Sequence, residues 1–271
     1  MNKLVWQNFD GLRYINLPFW SEMGADILFT SRTGGFSEGQ FASLNMALHV
    51  GDNHNRVIKN RLKVLKAFGS NLESIVCCEQ VHGAEVAIIN KEHTGLGADN
   101  FTTAIKGVDA MVTNISQICL TTFYADCIPI FLFDPIKRVI GIAHSGWKGT
   151  VNMIGNKTVQ IMQDHYGCDL KEIKVFIGPG IGKCCFEIGE ELGVEVKTIF
   201  NDLEDIIKVN ERGFLWDLPK TNQQALIKYG IKKENIIASN LCTSCNTDEF
   251  FSYRQEKGKT GRMAAMIRLH Y

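Results

Sequence analysis

Cys119-Leu120-Thr121-Thr122-Phe123-Tyr124-Ala125-Asp126-Cys127-Ile128-Pro129-Ile130 is an apolar run rich in strand-forming residues, broken by a short reactive group, Asp126-Cys127. A second run, Arg138-Val139-Ile140-Gly141-Ile142-Ala143, leads in the same way into His144-Ser145-Gly146-Trp147-Lys148-Gly149. Asp134-Pro135 supplies a turn between them. The intervening chain is long enough for one strand, a turn and a return strand, so the Cys127 thiol and the His144 imidazole can meet at one sheet edge. Strand ends facing loops are where architectures of this kind place their chemistry. This is the candidate active site.

Working outward, Asp26–Thr30 reads as a strand entering the glycine-rich loop 31–39. Residues 55–69 have helical spacing, with Ile58, Leu62 and Leu65 on one face, lysines opposite, and Gly69 as the stop. Val76–Glu79, Glu85–Ile89 and Val108–Thr113 read as strands, and 91–107 as a surface loop. Thr150–Tyr166 is expected to be a helix ended by Gly167. Ile173–Ile177 is a buried strand meeting Gly178-Pro179-Gly180-Ile181-Gly182, which a helix is expected to follow. Residues 186–200 and 217–229 are expected to be helical, with Asp217 and Pro219 at the start of the second. Ile236–Ser239 and Met263–Leu269 are the last strands. Strands and helices interleave without repeats or linkers, which points to one domain over residues 1–271.

The chain has 271 residues, with 45% hydrophobic and 21% charged residues, as expected of a globular protein with a sizeable core. Lysine plus arginine and aspartate plus glutamate balance at 29 each, so charge gives no reason to expect a nucleic-acid partner. No apolar run approaches the roughly 18 residues of a membrane span, and Met1–Asp10 lacks the apolar core of a secretory leader. Nine cysteines, two pairs of them adjacent, fit reduced thiols in a cytoplasmic setting better than a disulfide framework.

His82, Cys127 and His144 offer a thiolate and two imidazoles. That donor set suits a zinc ion with a fourth position left open, and its long, uneven spacing suits a catalytic site more than a structural one. The same residues admit a metal-free alternative, a Cys127–His144 nucleophile pair with Asp126 orienting the ring. Cys242-Thr243-Ser244-Cys245 has metal-ligand spacing but no partner pair in the sequence, so idle thiols are expected there. Arg32, Lys148, Arg254 and Arg262 are candidate anion-binding cations among glycines and aromatics.

The motifs Thr33-Gly34-Gly35-Phe36-Ser37, Ser43-Leu44-Asn45, His49-Val50-Gly51-Asp52, Gln80-Val81-His82-Gly83, Ala125-Asp126-Cys127, His144 to Gly149, Ile177-Gly178-Pro179 and Phe251 to Arg262 follow one another in a distinctive order. In this the sequence resembles the laccase-domain proteins, a family named for polyphenol oxidases and associated with purine nucleoside phosphorylase activity. The resemblance implies an α+β domain layered α-β-β-α with mixed sheets. It also implies one catalytic Zn²⁺ on His82, Cys127 and His144. Beside that metal, Asp126 is a candidate catalytic acid by its place in the sequence, and Arg32, Asn45, Lys148, Arg254 and Arg262 are candidate substrate contacts. Adenosine, inosine and 5′-methylthioadenosine would be cleaved with phosphate, and adenosine also deaminated. Copper is the second choice of metal. Seven histidines, none in a His-x-His pair, argue against a multicopper oxidase.

Overall fold

The computed structural model describes residues 3–116, 118–211 and 213–270. Along the chain come β1 (Val5–Phe9), β2 (Leu12–Asn16), α1 (Pro18–Glu22), β3 (Ala25–Thr30), α2 (His54–Phe68), β4 (Ile75–Cys77), β5 (Val86–Ile88), β6 (Ala110–Thr113), β7 (Cys119–Tyr124), β8 (Ile128–Asp134) and β9 (Val139–Ser145). Then follow α3 (Trp147–Val151), α4 (Ile154–Tyr166), β10 (Lys174–Ile177), β11 (Glu187–Ile188), α5 (Glu190–Ile199), β12 (Ile207–Asn210), β13 (Gly213–Trp216), α6 (Leu218–Tyr229), β14 (Ile236–Ala238) and β15 (Met263–Leu269).

One six-stranded sheet has the order β1-β2-β3-β15-β7-β4, and the other β14-β10-β8-β9-β6-β5; β11-β13-β12 form a small third sheet. Antiparallel pairs dominate both large sheets, with parallel pairing at β4–β7, β5–β6 and β10–β14. The strand alternation sets the layers. Met263, Ala265 and Ile267 of β15 face Phe131 and Phe133 of β8 and Ile140 and Ile142 of β9 in a core between the sheets. The alternate residues Ala264 and Met266 turn outward onto Val64, Leu65 and Phe68 of α2. On the far side, Ile128, Ile130 and Leu132 of β8 pack against Ile154, Val159 and Met162 of α4 and Leu226 of α6. Sheets covered on both faces need largely apolar strands, which is why β8 reads as a near-continuous hydrophobic run and β7 and β9 carry only small or β-branched polar residues and His144 among their apolar ones. The α-β-β-α layering expected from the sequence is the architecture observed.

The run that opens the sequence argument does something alternation alone does not show. β7 belongs to the first sheet, while β8 and β9 form a hairpin in the second. The chain therefore crosses between sheets at Ala125-Asp126-Cys127, and Asp126 takes φ +83°, a left-handed value costly for a residue with a Cβ. Reactive residues sit where the chain changes layers.

Four expectations about elements are corrected. Helix α2 ends at Gly69, φ +63°, as anticipated, and Asn53 caps its start by accepting a bond from the Arg56 amide, but its inward face is Val57, Arg61, Val64, Leu65 and Phe68. Leu62 is 48% exposed. The face is rotated because the buried Arg61 guanidinium donates to the carbonyls of Met46, Gly97 and Ala98, so a cation occupies a core-facing position. The helix expected over Thr150–Tyr166 is two helices, broken where Met153 adopts φ +57°. The Gly178–Gly182 loop leads through a turn into β11, and α5 begins only at Glu190. β1, β2 and the β12–β13 hairpin are strands that the sequence reading does not anticipate, although Ile207–Asn210 alternates apolar and polar types.

Candidate metal centre and cavity

His82 lies in the loop between β4 and β5, Cys127 at the crossover before β8, and His144 near the end of β9, where it pairs across the hairpin with Pro129. Their ligand atoms all lie within 4.8 Å of one another. The two imidazoles meet edge to face, with ring centroids 4.8 Å apart. Gly146 completes the cradle by having no side chain: a Cβ there would come within 3.0 Å of Cys127 Sγ and 3.1 Å of His82 Cδ2. One sulfur and two nitrogens converging on a space that only glycine leaves open fit a metal ion with an accessible fourth position.

Asp109 organises this cluster, and the sequence reading did not single it out. Its Oδ1 lies 2.8 Å from His144 Nδ1 and accepts the His82 amide at 3.0 Å. Its Oδ2 accepts the amides of Gly83 at 2.7 Å and Val81 at 3.2 Å. Burial works to raise its pKa, but His144 and the amide donors outweigh that and hold the carboxyl below its ordinary value. An ionised acceptor at Nδ1 keeps the proton on that nitrogen and leaves Nε2 with its lone pair, the arrangement of a carboxylate–histidine–metal triad. The only sequence signal was Asp109 inside an apolar strand, where an aspartate needs partners.

Without a metal, burial alone would raise the Cys127 thiol, yet His144 and His82 draw it down to about 6. His144 is pushed down by burial but raised to about 9 by Cys127 and Asp109. The pair thus favours thiolate and imidazolium, which is also the poise of a ready thiolate ligand.

The cluster opens into a cavity of about 530 Å³. Trp147, Phe186 and Tyr253 supply aromatic surface to it, and Arg254 and Arg262 supply cations. Arg262 Nη1 donates to the carbonyls of Thr260 and Gly261, and its guanidinium lies over Tyr253. Arg254 Nη1 donates to the carbonyls of Cys185 and Glu187. His49, quoted in a motif but given no role, also lines the cavity. Its ring packs against Phe101 and Phe123, and burial, then the charges of Arg262 and Arg61, lower its pKa to about 4. It is a neutral imidazole at pH 7.

The other sequence candidates fall differently. Asp126 lines the cavity, but its oxygens accept bonds from Thr243 Oγ1 at 2.6 Å, Ser252 Oγ at 3.1 Å and the Arg254 amide at 2.6 Å. It ties loops together, and that engagement argues against proton delivery. Arg32 lies away from the cavity; its guanidinium donates to the Thr247 and Ala42 carbonyls, pairs with Glu256 and covers the Phe251 ring. Asn45 is wholly buried, bonded to Ala47, Asp52 and the Arg262 amide. It positions Arg262 without reaching the cavity. Lys148 is exposed, its Nζ over the Trp147 ring.

Residues 26–270 match the family described as multi-copper polyphenol oxidoreductase laccase. The chain is 37% identical to the purine nucleoside phosphorylase YlmD of Geobacillus stearothermophilus over 246 residues, covering 90% of each protein. It is 35% identical to the purine nucleoside phosphorylase YlmD of Bacillus subtilis over 242 residues, 88% of this chain and 86% of that one. The crystal structure of YlmD from Geobacillus stearothermophilus superposes with a TM-score of 0.92 at 34% identity, over 99% of this chain and 100% of the other.

Proposed function

The chain belongs to the multi-copper polyphenol oxidoreductase laccase family, and we propose that it is a zinc-dependent purine nucleoside phosphorylase. On this reading residues 1–271 form one catalytic domain. Adenosine, inosine and 5′-methylthioadenosine react with phosphate to give free base and ribose-1-phosphate or its methylthio analogue, and adenosine is also deaminated. The observation that carries the reading is the convergence of His82, Cys127 and His144 beneath a cavity holding both aromatic faces and arginines.

Those three residues would hold one zinc, and a soft thiolate beside two imidazoles suits zinc, with copper second. When bound, zinc supplies Lewis acidity at the edge of the substrate. The remaining work belongs to the chain. The purine lies on the exposed faces of Trp147 and Tyr253, flat apolar surface of the kind a base covers. Arg262 and Arg254 hold phosphate and oppose the charge that develops as the glycosidic bond lengthens. His49, neutral, offers either ring nitrogen to the base. Asp126 holds the Arg254 backbone in place and Asp109 fixes the His144 ring, so both act as positioning residues. Arg32, Asn45 and Lys148 have no direct substrate contact in this scheme.

The test is phosphate-dependent release of base and ribose-1-phosphate from inosine, for wild type and Cys127→Ala. Losing an outer partner of a metal site typically costs 10–100-fold, so losing a ligand should cost about 100-fold or more. Full turnover by metal-stripped protein would sink the zinc reading. One observation favours a second one: the Cys127–His144 ion pair is also the poise of a thiol nucleophile. That enzyme would ignore chelators, would not need phosphate, and would die on alkylation of the metal-free protein.

A further inference from the structure

Four cysteines outside the catalytic cluster come together in space. Cys184 and Cys185 lie in the turn after the Gly178–Gly182 loop, and Cys242 and Cys245 in the loop after β14. Their sulfur atoms all lie within 4.8 Å of one another, with Cys245 Sγ 3.4 Å from Cys184 Sγ and 3.3 Å from Cys185 Sγ. These separations are far beyond the roughly 2.05 Å of a disulfide. They approach the edge of a tetrathiolate tetrahedron, which for a Zn–S bond of about 2.3 Å is about 3.8 Å. The partner pair that the sequence does not reveal for Cys242-x-x-Cys245 is the adjacent pair Cys184-Cys185, brought in by the fold.

We propose that Cys184, Cys185, Cys242 and Cys245 form a second metal site, a structural tetrathiolate centre for zinc or a similarly soft divalent ion, separate from the catalytic cluster. Two features support it beyond proximity. The Gly182 amide donates to Cys242 Sγ at 3.2 Å, an N–H···S bond of the kind that stabilises a ligating thiolate. Cys185 packs against the core beside α4 and α6, but Cys184 and Cys245 are exposed, so hydrophobic packing does not explain four thiols in one place.

The position gives the site a task. Its two loops already touch through the Gly180–Cys242 bridge and the Thr243 amide donating to the Gly180 carbonyl, and both bond Asp126 at the crossover, the Ile181 amide donating to its carbonyl and Thr243 Oγ1 to its side chain. Ile181 and Phe186 line the cavity from the first loop, and Arg254 follows the second. A metal would clamp these loops and hold one wall of the cavity.

The test is metal content of the purified full-length protein, with thiol alkylation mapped by peptide mass spectrometry. We expect two zinc equivalents in wild type, one in Cys127→Ala and one in the double variant Cys184→Ser/Cys245→Ser. The four cysteines should resist alkylation until the metal is stripped. Cobalt should restore protection, with the intense sulfur-to-metal absorption of a tetrathiolate retained in Cys127→Ala. Metal-free Cys127→Ala, rapid alkylation of all four thiols in zinc-replete protein, or a Cys184–Cys245 disulfide would each overturn the proposal. The wild-type and Cys127→Ala measurements decide it even where the double variant does not fold. Failure of the catalytic zinc would instead leave the count unchanged in Cys127→Ala, so the two readings fail separately.

Discussion

Asp109 holds the proposed metal centre together. One carboxylate satisfies His144 Nδ1 and three amides of the His82 loop. It therefore fixes both the position of one proposed ligand and the tautomer of another. Asp109→Asn keeps the shape but presents an amide that can donate where an acceptor is needed. Zinc affinity, measured by competition with a chromogenic chelator, should fall about 10–100-fold, with near-native circular dichroism. Unchanged affinity would remove Asp109 from this role. Arg262 and Arg254 were legible as cations near glycines, yet Arg32 and Lys148 carried the same signal and lie elsewhere. What separates them is which backbone carbonyls and rings each guanidinium or ammonium meets, and local sequence does not encode that.

At the scale of elements, the crossover from β7 to β8 explains why Cys127 reaches the candidate metal centre. Strand interiors are committed to two packed faces, whereas Asp126-Cys127 spans the gap between sheets and can turn a thiol into the cavity. The rotated face of α2 gives a direct test. Leu65→Ala, at a position 1% exposed, should cost about 2–5 kcal/mol. Leu62→Ala, on the solvent side, should stay within about 0.5 kcal/mol. Urea denaturation of the two variants checks this, and equal losses would restore the face suggested by periodicity. Strands β7, β8, β9, β10 and β15 were legible because burial on both sides demands predominantly apolar, β-branched or small residues along them. β1 and β2 were not, since Trp6-Gln7-Asn8 and Leu12-Arg13-Tyr14-Ile15 mix polar and apolar types without clean alternation; β12 alternates, but over only four residues.

For the whole molecule, Asp26 links distant parts of the chain. It pairs with Arg268 across β3–β15, bonds to His270, and accepts the Ser21 hydroxyl of α1. Burial pushes its pKa upward, but the bonds from Ser21, His270 and Arg268 prevail and hold it below the ordinary 3.8. The folded state therefore binds the proton more weakly than the unfolded chain. The stabilisation, up to about 1 kcal/mol for a partly exposed pair, is complete above 3.8 and lost as pH falls through the lower folded value. Asp26→Asn should lower the thermal midpoint at pH 7 and converge with wild type under strongly acid conditions. A constant gap down to low pH would show that Asp26 acts through packing instead. Among the described residues no helix is long and apolar enough to cross a membrane, in keeping with the absence of an apolar run of that length.

Sequence by itself determined the mixed α and β character, the principal buried strands and, through the motifs that carry the family resemblance, the layered class and the three residues of the candidate metal centre. Each of these is written in short-range terms: apolar runs, strand-end reactive residues and motifs in a distinctive order. Tertiary structure alone decided that Asp109 backs His144, that Asn45 and Arg32 brace loops, and that Cys184-Cys185 meets Cys242-x-x-Cys245. Those relations join residues from separate strands and loops, and their distances exist only once two sheets have packed and the chain has crossed between them.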